Sequence, residues 1–265
     1  MPVKVELLFV RHGESCANVL KKQNPLSPSR FVYRDPELTK RGVERTQFMY
    51  EPLRTFIAQK WGQNPIFTIA ASALMRTQMT AFYQLASHLN QPINIFPHIC
   101  EKGLTEDNIP FPKETQRNIL KTIDPSIFVL LDKGKDYRSV QTTQTKSDFD
   151  LFFNWLQRNL QLFPEAEPNL YRFVIFTHGL FLQSAFPLRL GYSLSKTKLK
   201  KGKSIMNNGF FYTEFTLYDT EYPEYEYFND EDLYRKPYTC PDNCRKTLCK
   251  KQKGGNHKHQ TRKHK

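Results

Sequence analysis

Two apolar runs, far apart in the chain, end in the same dipeptide. Val5-Glu6-Leu7-Leu8-Phe9-Val10 leads into Arg11-His12-Gly13-Glu14, and Tyr171-Arg172-Phe173-Val174-Ile175-Phe176-Thr177 leads into His178-Gly179. Nearly continuous apolar runs of this length read as strands covered on both faces, as in a parallel sheet between helices. A third run, Ile66-Phe67-Thr68-Ile69-Ala70-Ala71-Ser72, precedes Ala73-Leu74-Met75-Arg76-Thr77-Gln78-Met79-Thr80-Ala81, which has helical composition. Three predicted strands thus deliver Arg11 with His12, Arg76, and His178 at their carboxyl ends. In open α/β sheets that end binds ligands, and the following helix N-termini add positive potential. Arg-His-Gly at a strand end suits a phosphate. Glycine lets the backbone approach it, arginine offers a bidentate fork, and a neutral imidazole nitrogen can accept a phosphoryl group.

The pieces, in order, resemble the histidine phosphatase superfamily in its phosphoglycerate mutase-like branch. They are Leu8-Phe9-Val10-Arg11-His12-Gly13-Glu14-Ser15 with Asn18, then Asp35-Pro36-Glu37-Leu38-Thr39-Lys40-Arg41-Gly42. Next come Ser72-Ala73-Leu74-Met75-Arg76-Thr77 through Thr80-Ala81, Pro97-His98-Ile99-Cys100-Glu101, and Thr177-His178-Gly179. The resemblance implies a three-layer α/β/α sandwich around a mostly parallel sheet, spanning residues 4–217. It implies phosphomonoester hydrolysis through a phosphohistidine on His12, with Arg11, Arg76 and His178 on the phosphoryl oxygens and no metal or cofactor. It also points to Glu101 as general acid and base, with Glu106 and Asp107 as competitors in the same loop. Asn18 is expected to donate to the phosphate or substrate, or else to lie on a polar helix face. Glycine after His178 departs from the His-Asp pair usual in the acid phosphatase and phytase branch. The segment after Glu14 lacks the Trp-rich stretch of the cofactor-dependent mutases, and the insertion before His178 is shorter, which favours a phosphatase over a mutase-type phosphotransferase. A catalytically silent phosphate-binding scaffold is the third reading, although Arg11, His12, Arg76 and His178 are all retained.

The 265 residues are enough for one large α/β domain. We place that domain at residues 1–230 and a Cys/Lys/His-rich basic tail at 231–265. The formal charge of +13 is uneven. From Cys240 to Lys265 nine Lys or Arg face one acid, Asp242, a net of +8, whereas the stretch from Asp219 to Asp232 is acidic and tyrosine-rich. The tail's polar composition predicts disorder. Its charge supports at most a localisation signal or nonspecific, salt-sensitive contact with nucleic acid or an anionic surface. Cys240, Cys244 and Cys249 lack the two close pairs of a usual zinc site. No run reaches the ~20 apolar residues of a membrane span, and the chain enters its first strand almost at once. The expected setting is cytoplasmic, or nuclear through the tail, with five cysteines suited to a reducing compartment.

Between the motifs, a short helix is expected over residues 14–22 and a longer one from Thr39, its N-cap, past Ile57. Further helices are expected over 76–89, 147–163 and 179–190. Pro110, Pro112 and Pro125 make 102–146 read as an irregular insertion over the site. A lysine-rich loop follows at 196–203, facing either a polyanionic substrate or solvent. Asn207-Asn208-Gly209 reads as a turn before a last strand at 210–217, and Cys16 reads as a packing residue. The substrate is expected to be a phosphorylated small molecule or a phosphoprotein.

Overall fold

The computed structural model describes residues 2–23, 33–103, 105–138, 148–186, 192–193, 200–201, 205–217 and 225–228. The tail at 231–265, with its three cysteines, lies outside them, as do most of the lysine loop and residues 187–190. Strands β1 (Lys4–Arg11), β2 (Thr68–Ala71), β3 (Asn94–Ile95) and β4 (Leu170–Thr177) pair in parallel. A two-residue pair, β5 (Tyr192–Ser193) and β6 (Lys200–Lys201), stands apart. Strands β7 (Phe210–Thr216) and β8 (Tyr225–Phe228) join antiparallel, giving one sheet in the order β3-β2-β4-β1-β7-β8. The mostly parallel sheet is as expected. Strand β8 falls in the acidic, tyrosine-rich stretch, so the sheet continues beyond the strand read as its last.

Period-two alternation along β1 supplies two cores. Leu8 and Val10 face one, Val5, Leu7 and Phe9 the other, and all five are fully buried. The first core is covered by α2 (Lys40–Phe48), α3 (Tyr50–Trp61), α4 (Met75–Ala81), α6 (Lys113–Ile123) and α7 (Pro125–Lys133), through Leu53, Met75, Met79, Leu120 and Ile127 among others. A π-helical turn, Phe82–Ala86, and α5 (Ser87–Leu89) continue α4. The second core lies under α8 (Phe149–Asn159) and α9 (Gly179–Ala185), through Phe152, Leu156, Phe181 and Leu182. Helix α1 (Cys16–Gln23) lies next to the carboxyl end of β1. These are the three expected layers.

Two local expectations change. The helix from Thr39 is capped as foreseen, Thr39 Oγ1 accepting from Gly42 N at 2.7 Å. It gives way to a second helix at Met49, whose ψ of 2° interrupts the regular geometry. The stretch read as irregular holds α6 and α7. Leu120 is buried on α6, and Ile127, Leu130 and Leu131 are buried on α7 at i, i+3 and i+4. Asp124 caps α7, accepting from Ser126 N at 2.9 Å, with Pro125 at the first helical position. Pro112 and Pro125 therefore begin helices here instead of breaking them.

Phe96, at the end of β3, is fully buried and packs edge-on or tilted against Tyr137, Phe152, Trp155, Phe163 and Phe173, with centroids 4.9–6.4 Å apart. Truncation to alanine would leave a cavity at the meeting point of sheet and α8. Phe96→Ala is expected to cost about 3–5 kcal/mol, read as a lowered urea midpoint; an unchanged midpoint would show that this cluster is not a packed core.

Candidate active site

Arg11 pairs with Thr177 in the β1–β4 ladder, so the next residues, His12 and His178, emerge side by side. His12 N donates to Thr177 O at 2.9 Å, which extends the ladder into the site. Both imidazoles are buried, with ring centroids 5.1 Å apart. His12 Nδ1 lies 2.7 Å from Gly13 O. A carbonyl only accepts, so Nδ1 carries the proton and Nε2 keeps its lone pair. Burial above all, then the charges of Arg76 and Arg11, holds His12 well below its ordinary value, although the bond to Gly13 works the other way. Burial, Arg76, His12 and Arg11 do the same to His178. His178 Nε2 lies 2.7 Å from Ser72 Oγ, while its buried Nδ1 has no hydrogen-bond partner.

A cavity of about 270 Å³ opens over His12, walled by Arg11, Arg76 and Glu101 and by Asn18, Lys21, Asp107 and Gln183 farther out. His178 is not on this wall and lies buried against His12. Arg11 donates from Nη1 to Ile205 O at 2.7 Å, and its buried Nε has no partner. Arg76, 3% exposed, donates to Asp107 O at 2.6 Å and Asn108 Oδ1 at 3.0 Å, on the 3-10 turn Glu106–Asn108. Burial pushes the Glu101 carboxyl up, opposed by Arg76, Arg11 and the N–H groups of Leu180 and Lys102; Leu180 N donates at 2.9 Å. Of its two competitors, Asp107 reaches the wall and Glu106 does not. The ligand atoms of His12, Glu101 and His178 lie within 4.8 Å of one another, close enough to suit a metal ion. Two guanidinium groups beside them set the potential for an anion instead.

The loop carrying His12 is braced from distant segments. Asn207 Nδ2 donates to His12 O at 2.8 Å and to Gly13 O at 3.0 Å, and Thr80 Oγ1 accepts from Gly13 N at 2.9 Å. Asn208 is left-handed (φ 63°), as the expected turn requires, and its amide group meets Thr46 and Gln84. The turn read at 207–209 is therefore also a strap. Asn18 Oδ1 accepts from Ser15 N at 3.1 Å and from Asn207 at 3.2 Å. Asn18 also lines the cavity. Glu14, buried, accepts from Thr39 Oγ1 at 3.0 Å and lies 3.7 Å from Arg45. Asp35 accepts from Met75 N at 2.8 Å, Phe111 N at 3.0 Å and Gln116, and so fixes the start of α4 beside Arg76. Cys16 is fully buried and packs with Leu20 and Tyr33, as read from the sequence, and it is disulfide-bonded.

No protein-family model matches the chain, and no curated protein matches it. Solved structures similar to it include an ecdysone phosphate phosphatase from Bombix mori, at 15% identity and TM-score 0.46, covering 78% of this chain and 88% of that one. A phosphoserine phosphatase mutant from Entamoeba histolytica, at 14% identity and TM-score 0.42, covers 87% of this chain and 99% of that one. An alpha-ribazole phosphatase from Shigella flexneri, at 16% identity and TM-score 0.43, covers 85% and 96% respectively. Any function for this chain has to be argued from its own site.

A β-carbon on Gly179 would lie 3.0 Å from both Arg11 Cζ and Nε. Gly179→Ala is therefore expected to displace the guanidinium and weaken orthovanadate binding roughly tenfold, the worth of one charge-assisted hydrogen bond. Titration calorimetry measures it; unaltered affinity would remove Arg11 from the anion site.

Proposed function

We propose that this chain is a phosphomonoesterase that works through a phosphohistidine at His12, without a metal. The observation that carries the reading is the hydrogen bond from His12 Nδ1 to Gly13 O, which leaves a neutral Nε2 lone pair at the floor of a cavity walled by two arginines. Nε2 attacks phosphorus, forming the N–P bond as the ester P–O bond breaks. Arg11, Arg76 and His178 hold the equatorial oxygens and stabilise the charge of the transition state. Asn18 adds a donor at the rim. Glu101, its carboxyl raised by burial, gives its proton to the leaving alkoxide. In the second half the Glu101 carboxylate takes a proton from water as the water oxygen attacks phosphorus, and phosphate leaves with His12 restored.

A cavity of about 270 Å³ with Lys21 and Gln183 at its outer wall suits a small, polar phosphorylated molecule. Among the described residues no helix is long and apolar enough to cross a membrane. The deciding experiment is phosphate release from a panel of monoesters, phosphoglycerates included, with chelator present. Release that vanishes in His12→Ala supports the hydrolase. Faster interconversion of phosphoglycerates than release supports a phosphotransferase, and failure to label His12 supports a silent scaffold.

The pH dependence follows from two opposite shifts. His12 loses its lone pair only as pH falls through its lowered value, and Glu101 loses its proton as pH rises through its raised value. A profile of kcat/KM should therefore be bell-shaped, with Glu101 on its alkaline limb. Glu101→Gln is expected to erase that limb and lower kcat/KM roughly 10²–10⁴-fold on alkyl phosphates. The effect on kcat/KM for p-nitrophenyl phosphate, whose leaving group needs no proton, is far smaller, while kcat falls on both because the water step loses its base. A retained alkaline limb would move the role to Asp107.

A further inference from the structure

Ser72 has no part in the chemistry above, yet it sits fully buried at the end of β2 with its hydroxyl on His178. The strand register places it there. Ala71 lies opposite Phe176, and Ser72 N donates to Phe176 O at 3.0 Å, which sets the serine beside the strand that ends in His178. Ser72 Oγ is 2.7 Å from His178 Nε2 and 2.9 Å from Thr77 Oγ1, and it receives the Leu74 N–H at 3.3 Å. Thr77 Oγ1 lies 2.6 Å from Leu74 O. Thr77 Oγ1 also lies 3.1 Å from Ser72 O; carbonyls have no proton to give, so the single Thr77 proton serves these two and Thr77 accepts from the Ser72 hydroxyl. The one Ser72 proton then has two acceptors, His178 Nε2 and Thr77 Oγ1.

We infer that Ser72, backed by Thr77, is a positioning residue that holds His178 by Nε2 and so leaves Nδ1, the buried nitrogen without a partner, to donate to an incoming anion. With His178 neutral, Ser72 meets either tautomer: its hydroxyl donates to Nε2 when the ring proton is on Nδ1, or accepts from Nε2–H and turns its own proton to Thr77 Oγ1. When a phosphoryl dianion arrives and His178 becomes cationic, Nε2–H donates to Ser72 Oγ, whose own proton turns to Thr77 Oγ1. Nδ1 is then a donor, which is what an anionic oxygen requires. Without the hydroxyl, a buried Nε2–H loses its partner and the cationic ring is disfavoured. The consequence for turnover rests on the phosphatase reading; the Nδ1 proton in the phosphate complex does not.

The test is the imidazole ¹⁵N spectrum of the native protein, free and with saturating inorganic phosphate, beside Ser72→Ala and Ser72→Thr. The expected result is a protonated Nδ1 on His178 in the native phosphate complex, lost or reduced in Ser72→Ala. In the same variant kcat falls roughly 10- to 100-fold, the worth of a hydrogen bond to a charged group, and Ser72→Thr, which keeps the hydroxyl, recovers most of it. A native phosphate complex with a bare Nδ1 on His178 overturns the inference, and so does a Ser72→Ala complex that keeps Nδ1–H. Should Ser72→Ala not fold, the native spectrum decides alone. Absence of phosphate release by the native enzyme would refute the phosphatase reading and leave the spectral result standing.

Discussion

Arg11 opposite Thr177 and Ala71 opposite Phe176 are the pairings on which the site depends. They bring Arg11, His12, Ser72 and His178 out of three strands at one level. A one-residue slip in a strand turns every side chain to the other face. In β1 such a slip would carry Leu8 and Val10 toward the aromatic core under α8 and α9, and Val5, Leu7 and Phe9 toward the helices on the opposite side. The cost of mispacking two cores therefore also defends the spacing of the two histidines. Packing sets the register, and the register sets the chemistry.

Burial does the rest of the work at the strand ends, and it acts in opposite directions on acids and bases. It keeps His12 and His178 neutral and keeps the Glu101 carboxyl protonated to higher pH. The nucleophile proposed in its basic form and the proton donor proposed in its acidic form can thus coexist under the same conditions. The arginines would suffer from the same desolvation, but carbonyl oxygens of Ile205 and Asp107 and the side chain of Asn108 hold them. Those contacts fix the guanidinium groups before any anion arrives, so less reorganisation accompanies binding. They do not neutralise the positive charge, and an anion remains the natural occupant.

The strands that lead to His12, to α4 with Arg76, and to His178 were legible because their apolar runs end where the polar residues begin. Thr39 was legible because a cap needs only the residues that follow it. Asn207 was not, since its partners His12 and Gly13 lie 195 and 194 residues away and nothing local marks the contact. Ser72 escaped for the same reason, its bond to His178 spanning 106 residues. Helices α6 and α7 could have been found. Asp124-Pro125 is a helix start in its own right, and Ile127, Leu130 and Leu131 carry the helical period, but proline was read as a breaker. Strand β8 could also have been found, since Glu224-Tyr225-Glu226-Tyr227 alternates charged and aromatic residues, but its acidity was read as the approach to a domain boundary.

The site divides by what holds each part. The histidine–arginine centre stands on strand ends and the first turn of α4, clamped by Asn207, Thr80 and Asp35. The outer wall stands on α1, α9 and the 3-10 turn, through Asn18, Lys21, Gln183 and Asp107. Residues on the sheet cannot shift without disturbing two cores, whereas those on the outer wall can be exchanged at the surface. Under the proposed chemistry the reacting group is thus fixed by the fold, and the leaving group is read by side chains that the fold leaves open to change. Arg76 links the two parts, bonded at once to the 3-10 turn and placed by α4 on the cavity wall, as Asn18 does through its bond to Asn207. Under the proposed chemistry a change in that turn would be felt through Arg76 in turnover as well as in selectivity.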